Sequence, residues 1–328
     1  MASLYTPRRL RIFVSRVTVR IDPHVHSDGS YDDHEPVELI LEHAADIGLD
    51  AVVITDHDTM GESRRAAALA PEYGLIGIPG VEVSTANGHL LAIGVDRMPP
   101  RRESYTDTVA WIREHGGVAI VPHPFQRSRH GVRRRDIPVP EPRADTERSG
   151  EADAEKGSVE AETANTGENN DQSGTPEVAT TSVEVDAVEV FNAWLFTGYR
   201  NRRARRFAVK HDYPGVAASD AHHLNYVGRA FTELTIEGRD RAADVTADDV
   251  LAAIRAGTTS VSGKRAPVPM AAKHYVVAGI RKSGYAVRTG TRRGVASVTY
   301  ALRESASISR VAGYQAIQRA TRAASWLL

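Results

Sequence analysis

Several histidines and carboxylates of this chain stand at spacings that suit a site for divalent metal ions. The stretch IDPHVHSDGSYDD, residues 21–33, places His24 and His26 two positions apart. Three aspartates follow within the next seven positions: Asp28, Asp32 and Asp33. Imidazole and carboxylate ligands suit Zn²⁺, Mn²⁺ or Fe²⁺. Because the chain has no cysteine, thiolate metal sites, disulfides and a cysteine nucleophile are excluded.

The elements that must position these residues are short apolar segments. Val17, Val19 and Ile21 alternate with polar residues, which is typical of a strand that ends at the opening motif. Six further segments follow: LDAVVI, PGVEVS, HLLAIG, GVAIV, VEVF and GVAAS. Polar residues able to bind metal stand at or beside their ends: Asp56, His57, Glu82, His89, His123, Asn192, Asp220 and His222. Helical periodicity between most segments predicts parallel β/α units, in which the carboxyl ends of the strands converge on one active-site mouth.

Length and charge predict one domain with two appendages. The 328 residues, 41% of them hydrophobic, support a large domain with a real core. Between positions 138 and 182 the only bulky aliphatic residues are Val139, Val159 and Val178. We therefore expect a disordered insertion at 138–183, which is acidic: 13 acidic and 3 basic residues lie between 141 and 186. The domain itself is predicted to span 17–263.

The basic extension, residues 264–328, has two interpretations. It carries 12 basic residues and one acidic residue, Glu304, which suits a nucleic-acid contact surface. Alternatively, Ile308, Val311 and Ile317 form a helical apolar face that packs on the barrel.

Localisation is inferred from what the sequence lacks. The first 17 residues are interrupted by Pro7 and several arginines, so they lack the apolar core of a signal peptide. No stretch approaches the roughly 20 apolar residues of a membrane span. We expect a soluble, cytoplasmic protein.

Taken in order, six motifs resemble those of the PHP (polymerase and histidinol phosphatase) superfamily, and in particular its small stand-alone phosphoesterases. They are DPHVHS with YDD, ITDHDT, PGVEVS, HLLAIG, PHPF and SDAHH. The resemblance covers roughly residues 17–263 without the insertion. It implies a distorted seven-stranded β/α barrel with a cluster of up to three metals.

The resemblance also assigns roles to individual residues. The implied metal ligands are His24, His26, Asp32, His57, Glu82, His89, His123, Asp220 and His222. Glu82 is expected to bridge metals, and Asp28 and Asp33 compete with Asp32 for the carboxylate of the first motif. Asp22 would orient a liganding histidine from behind.

Candidate catalytic and substrate-binding residues stand beside these ligands. Asp58 and His222 are the candidate catalytic residues, although Asp58 would also suit a helix cap. Arg127, Arg129 and His130 could reach a substrate phosphate, since arginine offers a paired-donor fork, or they could be ordinary loop residues. Asn192 is a further candidate substrate contact or a turn residue.

These residues predict a metal-dependent phosphoesterase that acts on a phosphomonoester of a nucleotide or an oligonucleotide 5′ end. Two or three Mn, Zn or Fe ions about 3.5–4 Å apart would hold a bridging hydroxide and neutralise phosphate oxygens, so no serine or cysteine nucleophile is needed. Histidinol phosphate is the alternative substrate. A non-catalytic metal-binding module is the alternative from another functional class. Nucleic acid is a candidate partner through the basic extension.

Overall fold

The computed structural model describes residues 15–126, 129–139, 183–194 and 198–266. They form nine strands: β1 (Arg16–Val25), β2 (Ala51–Ile54), β3 (Gly80–Ser84), β4 (His89–Ile93), β5 (Val118–Val121), β6 (Ala187–Asn192), β7 (Gly215–Ala218), β8 (Ala230–Glu237) and β9 (Thr259–Gly263). The described helices are α1 (Val37–Asp46), α2 (Gly61–Leu69), α3 (Tyr105–Glu114), α4 (Gly198–Lys210) and α5 (Ala247–Ala256). None of them is long and apolar enough to cross a membrane. Arg127, most of the acidic insertion and most of the basic extension lie outside the described residues.

The burial of the residues and their pairing with β2 both change along strand β1, at the position of the two histidines. Its first residues alternate between exposed and covered positions, whereas every residue from Ile21 to Val25 is buried. The register with β2 shifts between Asp22 and Val25. Pro23 lies within this irregularity, where a residue without an N–H is tolerated. The end of β1 is thereby released from regular pairing just where the two histidines stand.

The nine strands form two sheets, so the predicted mixture of helices and strands is confirmed. One sheet has the order β2-β1-β8-β9 and the other β3-β4-β5-β6-β7. Isolated bridges link the sheets at Val25–Ala221 and His57–Glu82. A closed seven-stranded barrel stays a prediction.

Two details of the predicted parallel β/α arrangement are wrong. Strand β4 runs antiparallel to both β3 and β5. Only four residues, 85–88, separate β3 from β4, and a parallel crossover needs a dozen or more. Strands β8 and β9 were not predicted, and β8 pairs antiparallel with β1 over six registered residues.

Local sequence signals explain the helices that cover the sheets. In α1 the buried residues are Val37, Ile40, Leu41 and Ala44, at the spacing of a single helix face. Pro36 precedes the first turn, and Gly48 adopts a left-handed conformation with φ 77° just beyond the helix. Helix α5 begins with a capping box between Thr246 and Asp249. Buried aliphatic side chains of both sheets and the helices form the core beneath the strand ends.

Candidate metal centre

Nine histidines and carboxylates from several strand ends lie close together in the structure. His24 belongs to β1 and His26 follows it, Glu82 is the middle residue of β3, and His89 begins β4. The other members stand in the loops that follow β1, β2, β5 and β7: Asp32, His57, His123, Asp220 and His222. All nine are among the residues that the sequence singled out as candidate ligands. We call these nine residues the cluster.

The inner group of the cluster comprises five residues that are at most 1% exposed: His24, His26, Glu82, His123 and Asp220. The Nε2 atoms of His24 and His26 are 3.2 Å apart. Each of them lies 3.4 Å from Oε2 of Glu82. They lie 3.5 and 3.6 Å from Oδ1 of Asp220. Both ring nitrogens therefore face the same two carboxylates.

The outer group lies nearer the surface and comprises Asp32, His57, His89 and His222. Oδ2 of Asp32 is 3.4 Å from Nε2 of His57 and 3.3 Å from Nε2 of His222. Glu82 joins the two groups: its Oε2 is 3.0 Å from Nδ1 of His57, and its Oε1 is 2.7 Å from Nδ1 of His89. The same Oε1 lies 2.9 Å from Nε2 of the inner His123. One carboxylate thus contacts imidazoles on both sides.

The inner group is supported from behind by strand β6. Glu189, which is 1% exposed, accepts a hydrogen bond from Nδ1 of His24 at 3.1 Å, which turns Nε2 of that ring toward the cluster. Its other oxygen accepts the backbone N–H of His123. Asn192 donates to both Glu189 and Asp220, at 2.8 and 2.9 Å. Such supporting partners fix the orientation of metal-binding side chains.

The backbone is strained at several of these positions. His123, Asp220 and Asp58 have φ values of 27°, 53° and 55° in the left-handed region. A residue other than glycine in this region costs about 1–3 kcal/mol and persists where the surrounding structure enforces it. The strain therefore coincides with the ends of three strands that point at the cluster.

The buried carboxylates of the cluster have lowered pKa values, so their negative charges need positive charge nearby. Burial opposes ionisation of Glu82, but the rings of His89, His57 and His24 outweigh it and hold its pKa well below its usual range. Burial likewise opposes ionisation of Asp220, and the Arg129 guanidinium and His24 outweigh it and keep the pKa of Asp220 low. The pKa of Asp32 is also held low, because His57 and His222 outweigh its burial.

The pKa values of the histidine rings are shifted in opposite directions. Burial lowers the pKa of His57, but Glu82 and Asp32 outweigh it and raise the value to about 10. Burial, together with the rings of His222 and His57, holds the pKa of His26 well below its usual value. Buried anions need nearby cations, and only some of the rings readily take up a proton. Divalent metal ions would meet this requirement.

The donor set fits such ions. The cluster contains four sets of three or four donor atoms, with each atom from a different residue. Within each set, all of the atoms lie within 4.8 Å of one another. The sets are His26, Asp32, His57 and His222; His24, Glu82 and His123; His24, His26 and Asp220; and His57, Glu82 and His89. Oε2 of Glu82 and Nδ1 of His57 lie 3.0 Å apart, yet neither buried atom makes a hydrogen bond within the described residues. A metal ion between them would satisfy both atoms.

Comparisons with known proteins agree with this geometry. A family model described as PHP-associated matches residues 198–259. An uncharacterised protein of Methanocaldococcus jannaschii is 30% identical over 117 residues, which cover 33% of this chain and 68% of that protein. This chain belongs to the PHP superfamily.

Two more distant similarities extend the comparison. A 5′-3′ exoribonuclease of Haemophilus influenzae is 31% identical over 108 residues, which cover 32% of this chain and 39% of that enzyme. The crystal structure of PsfC from Pseudomonas syringae matches 81% of this chain and 98% of its own with 17% identity and a TM-score of 0.47. This chain therefore spans well under half of the exoribonuclease, and the structural likeness is too loose to indicate a function.

The structure distinguishes the three aspartates of the first PHP motif. Asp32 contacts His57 and His222, as described above. Asp28 is exposed. Asp33 is buried, but its Oδ1 accepts the backbone N–H groups of His34 and Glu35 at 2.5 and 3.2 Å. Of the three, Asp32 alone contacts the cluster histidines in the described structure.

Asp22 has a different role from the one expected. It accepts backbone N–H groups of Ser219 at 3.0 Å and Gly228 at 2.8 Å, and it contacts that of His24 at 3.5 Å. Burial raises its pKa to about 6, although these N–H groups oppose the rise. Asp22 thus ties β1 to the loops that follow β7, and Glu189 is the carboxylate that orients a histidine ring.

The candidate catalytic and substrate-binding residues surround the cluster. Asp58 accepts the N–H of Ser84 at 2.7 Å and pairs with Arg101 at 2.9 Å. Arg129 forms a two-point ion pair with Asp220, with Nη2 2.9 Å from Oδ1. His130 stacks on His89 with ring centroids 5.0 Å apart.

Sequence reasoning missed three residues of this region: Glu189, Tyr31 and Arg101. Glu189 is a carboxylate inside the otherwise apolar β6, which is a signal in itself because such a charge is rarely buried without a partner. Tyr31 stacks on His57 with centroids 5.0 Å apart while remaining 54% exposed. Arg101 has no local signal, since its contact with Asp58 depends on the loop after β4.

Proposed function

We propose that this chain is a metal-dependent phosphoesterase that hydrolyses a phosphomonoester of a nucleotide or of an oligonucleotide 5′ end. The observation that supports this most strongly is the cluster itself, in which Glu82 contacts imidazoles of both groups. The partial likeness to a 5′-3′ exoribonuclease supports a nucleotide substrate.

In this proposal the nine cluster residues hold two or three divalent ions, Mn, Zn or Fe. His24, His26 and Asp220 would hold one, and Asp32, His57 and His222 another. Glu82 would complete a third site, either with His24 and His123 or with His57 and His89. Glu82 would be shared among them. When bound, such ions lower the pKa of water and neutralise charge on phosphate oxygens.

The surrounding residues orient the ligands and the substrate. Glu189 holds the tautomer of His24 in which Nδ1 carries the proton and Nε2 is free to bind metal. Arg129 would exchange its pairing with Asp220 for a substrate phosphate, which its planar fork also suits. Arg127 stays a proposed phosphate contact, and His130 and Asn192 stay proposed neighbours of the substrate.

The two candidate catalytic residues, Asp58 and His222, would act by positioning Arg101 and by binding metal, respectively. Both oxygens of Asp58 already accept hydrogen bonds, one from Ser84 and one from Arg101. We therefore assign Asp58 to holding Arg101 at the rim of the site, where its charge faces incoming phosphate. His222 would act as a ligand whose ring Nδ1 is held 2.9 Å from its neighbour Asp220's backbone oxygen.

A panel of substrates tests this function. The protein would be reconstituted separately with Mn²⁺, Zn²⁺ and Fe²⁺ and given nucleoside monophosphates, 3′,5′-bisphosphates, short 5′-phosphorylated RNA and histidinol phosphate. We expect phosphate release from the nucleotide or RNA substrates. Release from histidinol phosphate alone would favour the alternative substrate, and metal binding without any release would favour a non-catalytic module.

A further inference from the structure

A cleft opens directly beside the cluster. It measures about 260 Å³ and lies between the turn at 84–88 and the segment at 130–133. His89, which belongs to the cluster, lines this cleft together with His130 and Arg133. The cleft therefore has a proposed metal ligand in its wall.

A second cleft continues the first. It measures about 220 Å³ and shares Asn87 with the first cleft. Its other walls are the start of α3 and the segment 135–138, including Arg135. Each cleft is smaller than the roughly 300–1,000 Å³ of a typical small-molecule site, and the two together fall within that range.

The walls of these clefts are held by specific contacts. Gly88 has φ 150°, and a Cβ at this position would lie 2.7 Å from the backbone oxygen of His130. The backbone N–H of His89 donates to that same oxygen at 2.9 Å. Asn87 accepts the N–H of Tyr105 at 3.1 Å. The turn is thus fixed against the segment after His130 at one end and against α3 at the other.

The chemistry of the lining suits an anionic, polar ligand. The side chains include several hydroxyl and amide groups: Ser84, Thr85, Asn87, Ser104 and Thr106. Arg133, Arg135 and Asp136 are the charged residues that line the two clefts, if histidines are left aside. Asp136 lies 3.7 Å from Arg135, whose side chain is 75% exposed. A net positive charge remains along the path.

We propose that the two clefts form a track for the phosphodiester backbone of single-stranded nucleic acid whose terminal phosphate is held at the cluster. This inference rests on the proposed function and narrows its substrate to an oligonucleotide. Arg133 and Arg135 contact different phosphates of the strand, because Arg133 lines the first cleft and Arg135 lines the second. His130, which is exposed and stacks on His89, lines the first cleft and contacts a base of the strand.

The test compares two double variants. Arg133→Ala/Arg135→Ala removes the track's cations. Arg16→Ala/Arg241→Ala removes two exposed arginines from the opposite end of β1, where Arg16 pairs with Glu237 and Arg241 with Asp244. Binding of a fluorescent single-stranded RNA of about eight nucleotides, with a 5′ phosphorothioate that resists hydrolysis, is measured over a series of salt concentrations. Phosphate release is measured in parallel from short 5′-phosphorylated RNA and from a nucleoside monophosphate.

We expect the track variant to bind RNA about tenfold more weakly. Its slope of log affinity against log salt should become shallower by about 1.4, since each of the two lost contacts with a single strand contributes about 0.7 to the steepness. Its kcat/KM should fall for RNA and not for the monophosphate, while the control variant matches wild type. Arg133→Lys/Arg135→Lys keeps both charges and should restore most of the salt slope.

Each alternative outcome has a separate meaning. If the track variant binds RNA with wild-type affinity and salt slope, the track is wrong even when RNA is hydrolysed. If kcat/KM falls equally for the monophosphate, the arginines act on the cluster and not on a track. If wild type hydrolyses no phosphoester, the proposed function fails, and the binding measurement still decides whether the clefts hold nucleic acid.

Discussion

The two groups of the cluster are built in different ways. The inner group is fully buried, and its members stand on or beside β1, β3, β5 and β7. Behind it, Glu189 and Asn192 add a second layer of hydrogen bonds. In the outer group, the side chains of Asp32 and His57 are each 9% exposed. There the outer face of His57 is covered by Tyr31, which is itself half exposed.

This difference indicates how the two groups should respond to change. The inner group is preorganised by buried hydrogen bonds, which hold His123 and Asp220 in their strained conformations. In the outer group, Asp32 lies in the loop from Ser27 to Pro36, whose position is set by contacts such as that of Asp56 with Ser27 at 2.7 Å. We therefore expect tightly held metal in the inner group and more readily exchanged metal in the outer group.

Glu82→Gln should have the largest effect, because it removes the shared charge on which both groups depend. Glu82 contacts five histidine rings of the cluster: His24, His26, His57, His89 and His123. We expect at most one metal ion per chain and a loss of at least about a hundredfold in activity. Elemental analysis after reconstitution and phosphate release measure the two effects. The exposed Glu72→Gln is the control, and full metal content in Glu82→Gln would contradict the shared role.

Glu189→Gln should affect the inner group alone. Glutamine keeps the size of the side chain but removes the charge that His24 Nδ1–H meets. Loss of such a supporting partner typically costs about 10–100-fold in metal affinity. Competition with a metal chelator should reveal one weakened ion of the reconstituted set and unchanged exchange of the others. Equal weakening of every ion would mean that the two groups are not separate.

The sequence predicted the members of the cluster better than the framework behind it. His24, His57 and Asp220 stand in short motifs next to apolar segments, and polar residues after strands tend to share one edge. Glu189 was missed because its role depends on β6 lying beside β5 and β7, which no local pattern specifies.

Asp22 and strand β8 also depend on contacts that no local sequence pattern specifies. The resemblance implied that Asp22 orients a liganding histidine, yet its closest partners, Ser219 and Gly228, are far along the chain. Strand β8, which alternates buried and less buried residues, pairs with β1 across more than two hundred positions. Contacts between distant segments depend on the folded topology, whereas strand ends are marked locally.

Asp32→Asn should affect the outer group and leave the inner group intact. It weakens the carboxylate that lies 3.4 Å from His57 and 3.3 Å from His222. We expect loss of one exchangeable ion and a moderate loss of activity, of about tenfold or more. The neighbouring Asp28→Asn is the matched control because Asp28 is exposed. If Asp28→Asn loses the ion and Asp32→Asn does not, the assignment within the first motif is wrong.

The smallest effect concerns Tyr31, which packs on the outer group without offering it a charge. Its ring is nearly parallel to that of His57, at an interplanar angle of 19°, and it shields one face of the ring from water. An aromatic pair of this kind contributes about 0.5–1.5 kcal/mol, so Tyr31→Ala should weaken the outer ion by up to about tenfold. Tyr31→Phe keeps the stacked ring and should weaken the outer ion less than Tyr31→Ala does.

Tyr199, 59% exposed on α4, allows a matched control of similar exposure. Tyr199→Ala removes an aromatic ring of the same size and should leave the exchange of every ion unchanged. If Tyr31→Phe is as impaired as Tyr31→Ala, the hydroxyl and not the stacked ring supports the outer group. If Tyr31→Ala instead weakens the inner ion as much as the outer one, the inner and outer groups respond as one unit. The contrast between a preorganised inner group and a less firmly held outer group would then fail.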